Sequence, residues 1–182
     1  MTINCKGQLI DLKSPKVMGI LNITPDSFYG GSRFSDSKSV LKRTEAMLLE
    51  GATFIDIGAY SSRPGAAHVS EEEELGRIVP IIELLTKEFP VIQISVDTFR
   101  SKVAAECIQY GASLINDISA GLLDEQMLST VAKLKAPYIM MHMKGDPKSM
   151  QSKTEYQNLI NDIRKYFSER LRLAKDLGIV DI

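Results

Sequence analysis

Two polar residues 19 positions apart, Asp97 and Asn116, each close an apolar run: Ile94-Ser95-Val96-Asp97 and Leu114-Ile115-Asn116. A carboxylate can accept two N–H donors at once, and an amide both gives and accepts. On neighbouring strand ends, the pair suits a flat ligand edge that carries adjacent N–H donors and one acceptor. The competing role is local, since a strand-end Asp commonly caps the helix that follows it. Asn22 stands in a comparable place. The run Met18-Gly19-Ile20-Leu21 stops at this amide and breaks into Ile23-Thr24-Pro25-Asp26-Ser27-Phe28, with Gly30 and Gly31 behind it. A ligand or metal can meet Asn22 there, and the loop is suited to close over a site. A second loop, Gly58-Ala59-Tyr60-Ser61-Ser62-Arg63-Pro64-Gly65, offers hydroxyls and a guanidinium, although a loop Arg is also an ordinary surface charge. His142 has the chemistry of a general base but reads better as a packed strand-end residue.

The elements that must hold these groups alternate. Short apolar strands are predicted at Val17–Leu21, Thr53–Ile57, Val91–Val96, Ser113–Asn116 and Tyr138–Met141, with helical patterns near 36–50, 70–88, 100–110, 124–134 and 154–177. A small hairpin is expected over Ile3–Leu12 with Lys6-Gly7 as its turn. Ser70 and Glu73 have capping-box spacing, and Glu71–Glu74 read as a solvated first turn favoured by the helix dipole. Pro80 is expected to kink or restart that helix. Gly51-Ala52-Thr53-Phe54-Ile55-Asp56-Ile57 echoes Gly111-Ala112-Ser113-Leu114-Ile115-Asn116-Asp117, and Gly178-Ile179-Val180-Asp181-Ile182 begins the pattern again. In the first two, a Gly suited to a left-handed helix stop hands over to a buried strand, and the third looks like a further strand cut in its middle. Repeated strand–helix units imply a parallel sheet. Polar groups end every strand (Asn22, Asp56, Asp97, Asn116 with Asp117, His142), which is the barrel arrangement rather than that of a doubly wound sheet. The fold class expected is α/β: a partial (β/α)8 TIM barrel of about five units plus the start of a sixth strand. Residues 1–182 form a single domain in this reading, truncated at its C-terminal side.

Composition narrows the function classes. A chain of 182 residues with 44% apolar content suffices for one core. Its 22 basic and 23 acidic side chains give a net charge of −1 with no basic stripe, which argues against nucleic acid as partner. Cys5 and Cys107 are far apart, without a Cys-x-x-Cys partner, and read as two reduced thiols. No apolar run reaches membrane-spanning length and no leader pattern opens the chain, so a soluble cytoplasmic enzyme is expected.

The motifs as a set, from about Val17 to Ile182, resemble dihydropteroate synthase of the pterin-binding enzyme family. This transferase joins a pterin diphosphate to p-aminobenzoate in folate biosynthesis, giving 7,8-dihydropteroate and pyrophosphate. The resemblance implies a pterin-cation mechanism in which Asp97 and Asn116 grip the pterin and act in catalysis. It implies that Met141 packs on the ring with Ile118 beside it, and that Ser62 contacts the diphosphate in the place of the usual Thr. Asp26, Phe28, Arg63 and Pro64 would belong to two loops around p-aminobenzoate, and Asn22 would contact Mg2+. Ala59 and Tyr60 depart from the usual second loop, and Gly30 stands where the first loop commonly has a second Asp. The resemblance also implies inhibition by sulfonamides, small-molecule partners only, and a homodimer for the full-length form.

The family's later motifs do not follow: a D-P-G after the sixth strand, a Lys at the seventh and an R-x-H at the eighth. Asp181 is not that aspartate, since no Pro-Gly comes after it. A polypeptide of this length alone is therefore expected to fold poorly or aggregate and to turn over little substrate. Two other readings are a binding-only or defunct pterin-binding fragment, and the pterin domain of a methyltetrahydrofolate methyltransferase. The latter lacks both the Thr24–Phe28 and the Ser62–Pro64 loops.

Overall fold

The computed structural model describes residues 1–23, 33–60 and 69–182. The chain opens on a hairpin of β1 (Thr2–Cys5) and β2 (Gln8–Asp11), turned at Lys6 and Gly7, both at positive φ. Then follow β3 (Val17–Asn22), α1 (Arg33–Leu49), β4 (Ala52–Gly58), α2 (Glu71–Glu88), β5 (Gln93–Asp97), α3 (Ser101–Gln109), β6 (Leu114–Asp117), α4 (Met127–Leu134), β7 (Tyr138–Met140) and α5 (Leu159–Asp176). The expected alternation holds, with boundaries shifted by a few residues. The repeat's glycines work as anticipated: Gly51, Gly111 and Gly178 all lie at φ between +86° and +111°. Behind the second and third, Ala112 N–H donates to Cys107 and Ile179 N–H to Ala174, which is one helix stop used twice.

Strands β3 to β7 form a parallel sheet in strictly sequential order. A doubly wound sheet reverses order at a switch point; this one does not, and it is one wall of a barrel. Tyr138 N–H donates to the Asp181 carbonyl at 2.9 Å, so the residues after α5 start alongside β7. Alternation then divides each strand between two faces. Ile55, Ile57, Ile94, Val96 and Ile115 pack on the helices with Ile78, Ile82, Leu85, Val103 and Val131. Phe54 and Leu114 face the other way and close the barrel floor against Cys5 and Ile10 of the hairpin. Asn4 N–H donates to the Asp181 carboxylate, Lys6 Nζ to the Gly111 carbonyl and Gln93 Nε2 to Gln8 Oε1, which fasten that plug.

Helix α2 corrects two expectations. It does not restart at Pro80 but continues through it as one helix. Pro80 and Gly76, the i−4 residue whose carbonyl the ring crowds, both lie on the exposed side, while Ile78, Ile82 and Leu85 seat the opposite face. Burial of that face outweighs the cost of the proline. Ser70 caps the helix by accepting from Glu73 N–H at 3.1 Å. The first turn, however, is not wholly solvated: Glu74 is completely buried.

Candidate active site at the strand ends

The register aligns Asn22 with Gly58, Gly58 with Asp97 and Asp97 with Asn116, so one row of residues crosses the C-terminal rim of the sheet. Parallel pairing has thus brought together Asn22, Asp97 and Asn116. Gly58 leaves the gap in this row that Asp97 leans into. A Cβ built there would come within 3.3 Å of Asp97 Oδ2, closer than most real contacts. One layer below, Asp56 pairs with Ser95 in register and accepts from Asn116 Nδ2 at 3.1 Å. That bond orients the Asn116 amide, leaving its oxygen available at the rim. Asp56 is 6% exposed, and its second oxygen has no hydrogen-bond partner. Alternation makes the inward direction of Asp56 legible in the sequence, but only pairing identifies Asn116 as its partner.

Burial pushes the Asp97 carboxyl up to about 7, helped by the negative charges of Asp56, Glu74 and Asp117. Asp56 is also raised, chiefly by burial, with Ser95 and Asn116 opposing. The site therefore holds a carboxyl poised between its two states near neutrality. Near neutral pH the protein alone leaves Asp97 only partly ionised, and N–H donors on a ligand would favour the ionised form.

Ile118 lines a cleft with Asp97, Thr98, Phe99 and Tyr60. Met141 is half-buried just beyond β7. Its amide donates to the Asp117 carbonyl at 3.1 Å and its carbonyl accepts from Tyr166 OH at 3.1 Å. His142 packs edge-to-face on Tyr166, ring centroids 4.7 Å apart, as expected of a packed strand-end residue. Asp26, Phe28, Ser62, Arg63 and Pro64 lie outside the described residues.

Glu74 belongs to a network that sequence reasoning misses. Its carboxylate accepts from Thr98 Oγ1 at 2.8 Å and pairs with Arg100, whose other terminal nitrogen donates to the Val69 carbonyl at 2.7 Å. The guanidinium lies 5.4 Å from the Tyr60 ring centroid and 5.2 Å from that of Phe99. The available signal is spacing: Glu74, Ile78, Ile82 and Leu85 form one buried stripe at helical period. Among the described residues, no cluster of three or more His, Cys, Asp or Glu has the arrangement of a metal site. No helix among them is long and apolar enough to cross a membrane.

Comparison with known proteins gives this rim a context. Residues 18–181 match the family described as pterin binding enzyme. A dihydropteroate synthase of Synechocystis is 44% identical over 168 residues, covering 92% of this chain and 58% of its own length. The Yersinia pestis dihydropteroate synthase, solved with a sulfonamide drug, superposes with a TM-score of 0.88 at 43% identity over 99% of this chain and 65% of the other. The Xanthomonas albilineans dihydropteroate synthase solved with 4-aminobenzoic acid has a TM-score of 0.87 at 36% identity, over 98% and 63%. The chain thus spans about three-fifths of the length of these relatives.

Proposed function

The chain belongs to the pterin-binding enzyme family, and on that premise we propose that it carries the pterin half of a dihydropteroate synthase. The reaction joins (7,8-dihydropterin-6-yl)methyl diphosphate to p-aminobenzoate. A C–O bond to the diphosphate breaks and its electron pair leaves with pyrophosphate. A C–N bond to the arylamine forms, and the amine nitrogen gives up a proton. The observation that carries this reading is the adjacent Asp97–Asn116 pair at the rim, with its gap at Gly58. Asp97 would accept from the pyrimidine edge of the pterin while Asn116, steadied by Asp56, presents its amide oxygen.

Departure of pyrophosphate leaves positive charge spread over the electron-rich dihydropterin, and an ionised Asp97 at the ring edge lowers the energy of that charge. Ile118 and Met141 would supply apolar walls to the ring. Ser62 would hydrogen-bond the diphosphate, and Asp26, Phe28, Arg63 and Pro64 would surround p-aminobenzoate. Sulfonamides, which imitate that amine, are then competitive inhibitors.

Mg2+ fits the rim only as a companion of the substrate. Asn22, exposed at the end of β3, offers a single hard oxygen, and magnesium usually keeps waters and takes further oxygens from phosphates. Bound there, it would neutralise charge on the departing pyrophosphate.

The test is pyrophosphate release in the protein expressed from its native gene, with each substrate omitted in turn. Release that requires both the pterin diphosphate and p-aminobenzoate supports the proposal; pterin binding without release points to a binding-only protein. The poise of Asp97 adds a pH dependence. Below about pH 7 the free carboxyl holds a proton that the pterin N–H donors must displace. Affinity for a dihydropterin should fall about tenfold per pH unit below 7 and level off above it, with a proton released on binding. Calorimetric titration in buffers of different ionisation enthalpy measures both quantities.

A further inference from the structure

Glu74 and Arg100 occupy a place that stability alone does not explain. A buried ion pair usually gains little over well-packed apolar residues of the same volume. This one sits at the base of the segment between β4 and α2, where it holds both sides. Arg100 grips the Val69 carbonyl after the segment and lies against the Tyr60 ring before it. Arg77, paired with Glu73 one helical turn away, donates to the Ala59 carbonyl at 3.4 Å. Phe99 meets Tyr60 edge-to-face, ring centroids 5.1 Å apart. Thr98 joins the network to β5, since its hydroxyl donates to Glu74 and accepts from Arg100 N–H at 3.2 Å. The residue next to the pterin-gripping Asp97 is therefore bonded, through one buried carboxylate, to the flanks of residues 61–68.

We propose that Glu74 and Arg100 are positioning residues that fix Tyr60 and Val69 relative to Asp97, and so set the affinity for the arylamine without touching it. The proposal rests on the synthase reading, because residues 62–64 match the family's arylamine loop. A fork-shaped guanidinium suits the task. It offers several donors in a fixed plane, so one group can satisfy Glu74 and Val69 together while its face meets aromatic rings. Preorganised loop ends reduce the ordering cost of binding a ligand between loops.

The double variant E74Q/R100M removes both charges together and avoids stranding either one. Activity is compared at pH 8.5, above the value of about 7 at which Asp97 titrates in the parent. KM for p-aminobenzoate should rise about tenfold, while dihydropterin affinity stays within about twofold of the parent. R100K should recover only part of the loss, since one ammonium cannot reproduce the planar fork. In parallel, amide hydrogen exchange should quicken about tenfold at residues 69–73 and stay unchanged in β5. The proposal is overturned if affinities for both substrates fall together, if neither moves, or if exchange at residues 69–73 is unaltered. Should the protein expressed from its native gene release no pyrophosphate, the synthase reading fails, and the exchange result alone decides whether the pair holds these chain ends.

Discussion

Replacing Asp97 with Asn is expected to weaken dihydropterin binding by a factor of about 100 to 1,000 and, at the same time, to stabilise the folded protein above pH 8. The first effect follows from donors and acceptors. On the synthase reading proposed above, the carboxylate would present only acceptors to the pterin's N–H groups, whereas the amide turns one of its two positions into a donor. One charge-assisted bond is lost and a donor faces a donor, a cost of about 3–4 kcal/mol. The second effect follows from linkage. The folded-state pKa of Asp97 is about 7, well above the usual value for an exposed carboxyl, so the native state binds this proton more tightly than the unfolded chain. The resulting stability is fully present below the unfolded pKa of about 4 and is lost as pH rises through 7. By pH 8 the parent bears the cost of a buried carboxylate beside Asp56, Glu74 and Asp117, on the order of 2–4 kcal/mol. The amide that replaces the carboxyl in Asp97→Asn does not titrate. Urea unfolding at pH 5 and pH 8 should therefore show the variant gaining on the parent at the higher pH. An equal difference at both values would show that Asp97 is not the strained group.

This opposition between binding and stability is only half legible in the sequence. Strand ends, their order and the turn at Lys6-Gly7 follow from alternation, glycine punctuation and repeat, because each is a local pattern written in a few neighbouring residues. Asp97 and Asn116 stand out for the same reason, and resemblance gives them a ligand. What a linear pattern hides is which distant charges share one low-dielectric volume. Asp56 is visible as a polar strand end but not as the partner of Asn116. Glu74 looks solvated because three glutamates precede it in the first turn, yet helical period places it with Ile78 and Ile82. Pro80 suggests a helix restart through its intrinsic preference, and the buried face of α2 carries the helix on through it. The raised pKa of Asp97 depends on several such placements together, and no single segment encodes it.

The largest loss of stability is expected at Asp117, one residue beyond Asn116. Its carboxylate is fully buried and accepts four hydrogen bonds: Ser119 N–H at 2.7 Å, Ser119 Oγ at 2.8 Å, Gly121 N–H at 2.7 Å and Tyr138 OH at 2.5 Å. Ala120 and Gly121 both lie at positive φ, at 51° and 78°, which turns the backbone amides of this loop inward onto the anion. Helix α5 holds the loop's carbonyls from the other side. Tyr166 OH donates to Ser119 O at 3.0 Å and Arg170 Nε to Ala120 O at 2.8 Å. Burial pushes the Tyr138 hydroxyl well above its ordinary range, with the Asp117 charge adding to the effect, so it remains a donor at any working pH. Asp117→Ala removes the common acceptor and strands four donors, for a cost of about 3–5 kcal/mol. That is a large part of the roughly 5–15 kcal/mol that holds a domain together. Tyr138→Phe leaves three of the four bonds and should cost about 1.5–3 kcal/mol. In a double-mutant cycle, the tyrosine change should cost much less once Asp117 is gone, because its acceptor is already absent. Additive losses, or a cost below about 1 kcal/mol for Asp117→Ala, would mean that the turn is held by α5 alone. Since Asn116 and Ile118 flank Asp117 on both sides, any variant that still folds should also bind a dihydropterin more weakly. On the proposed reading, the carboxylate that sets the turn would also set where the ring lies.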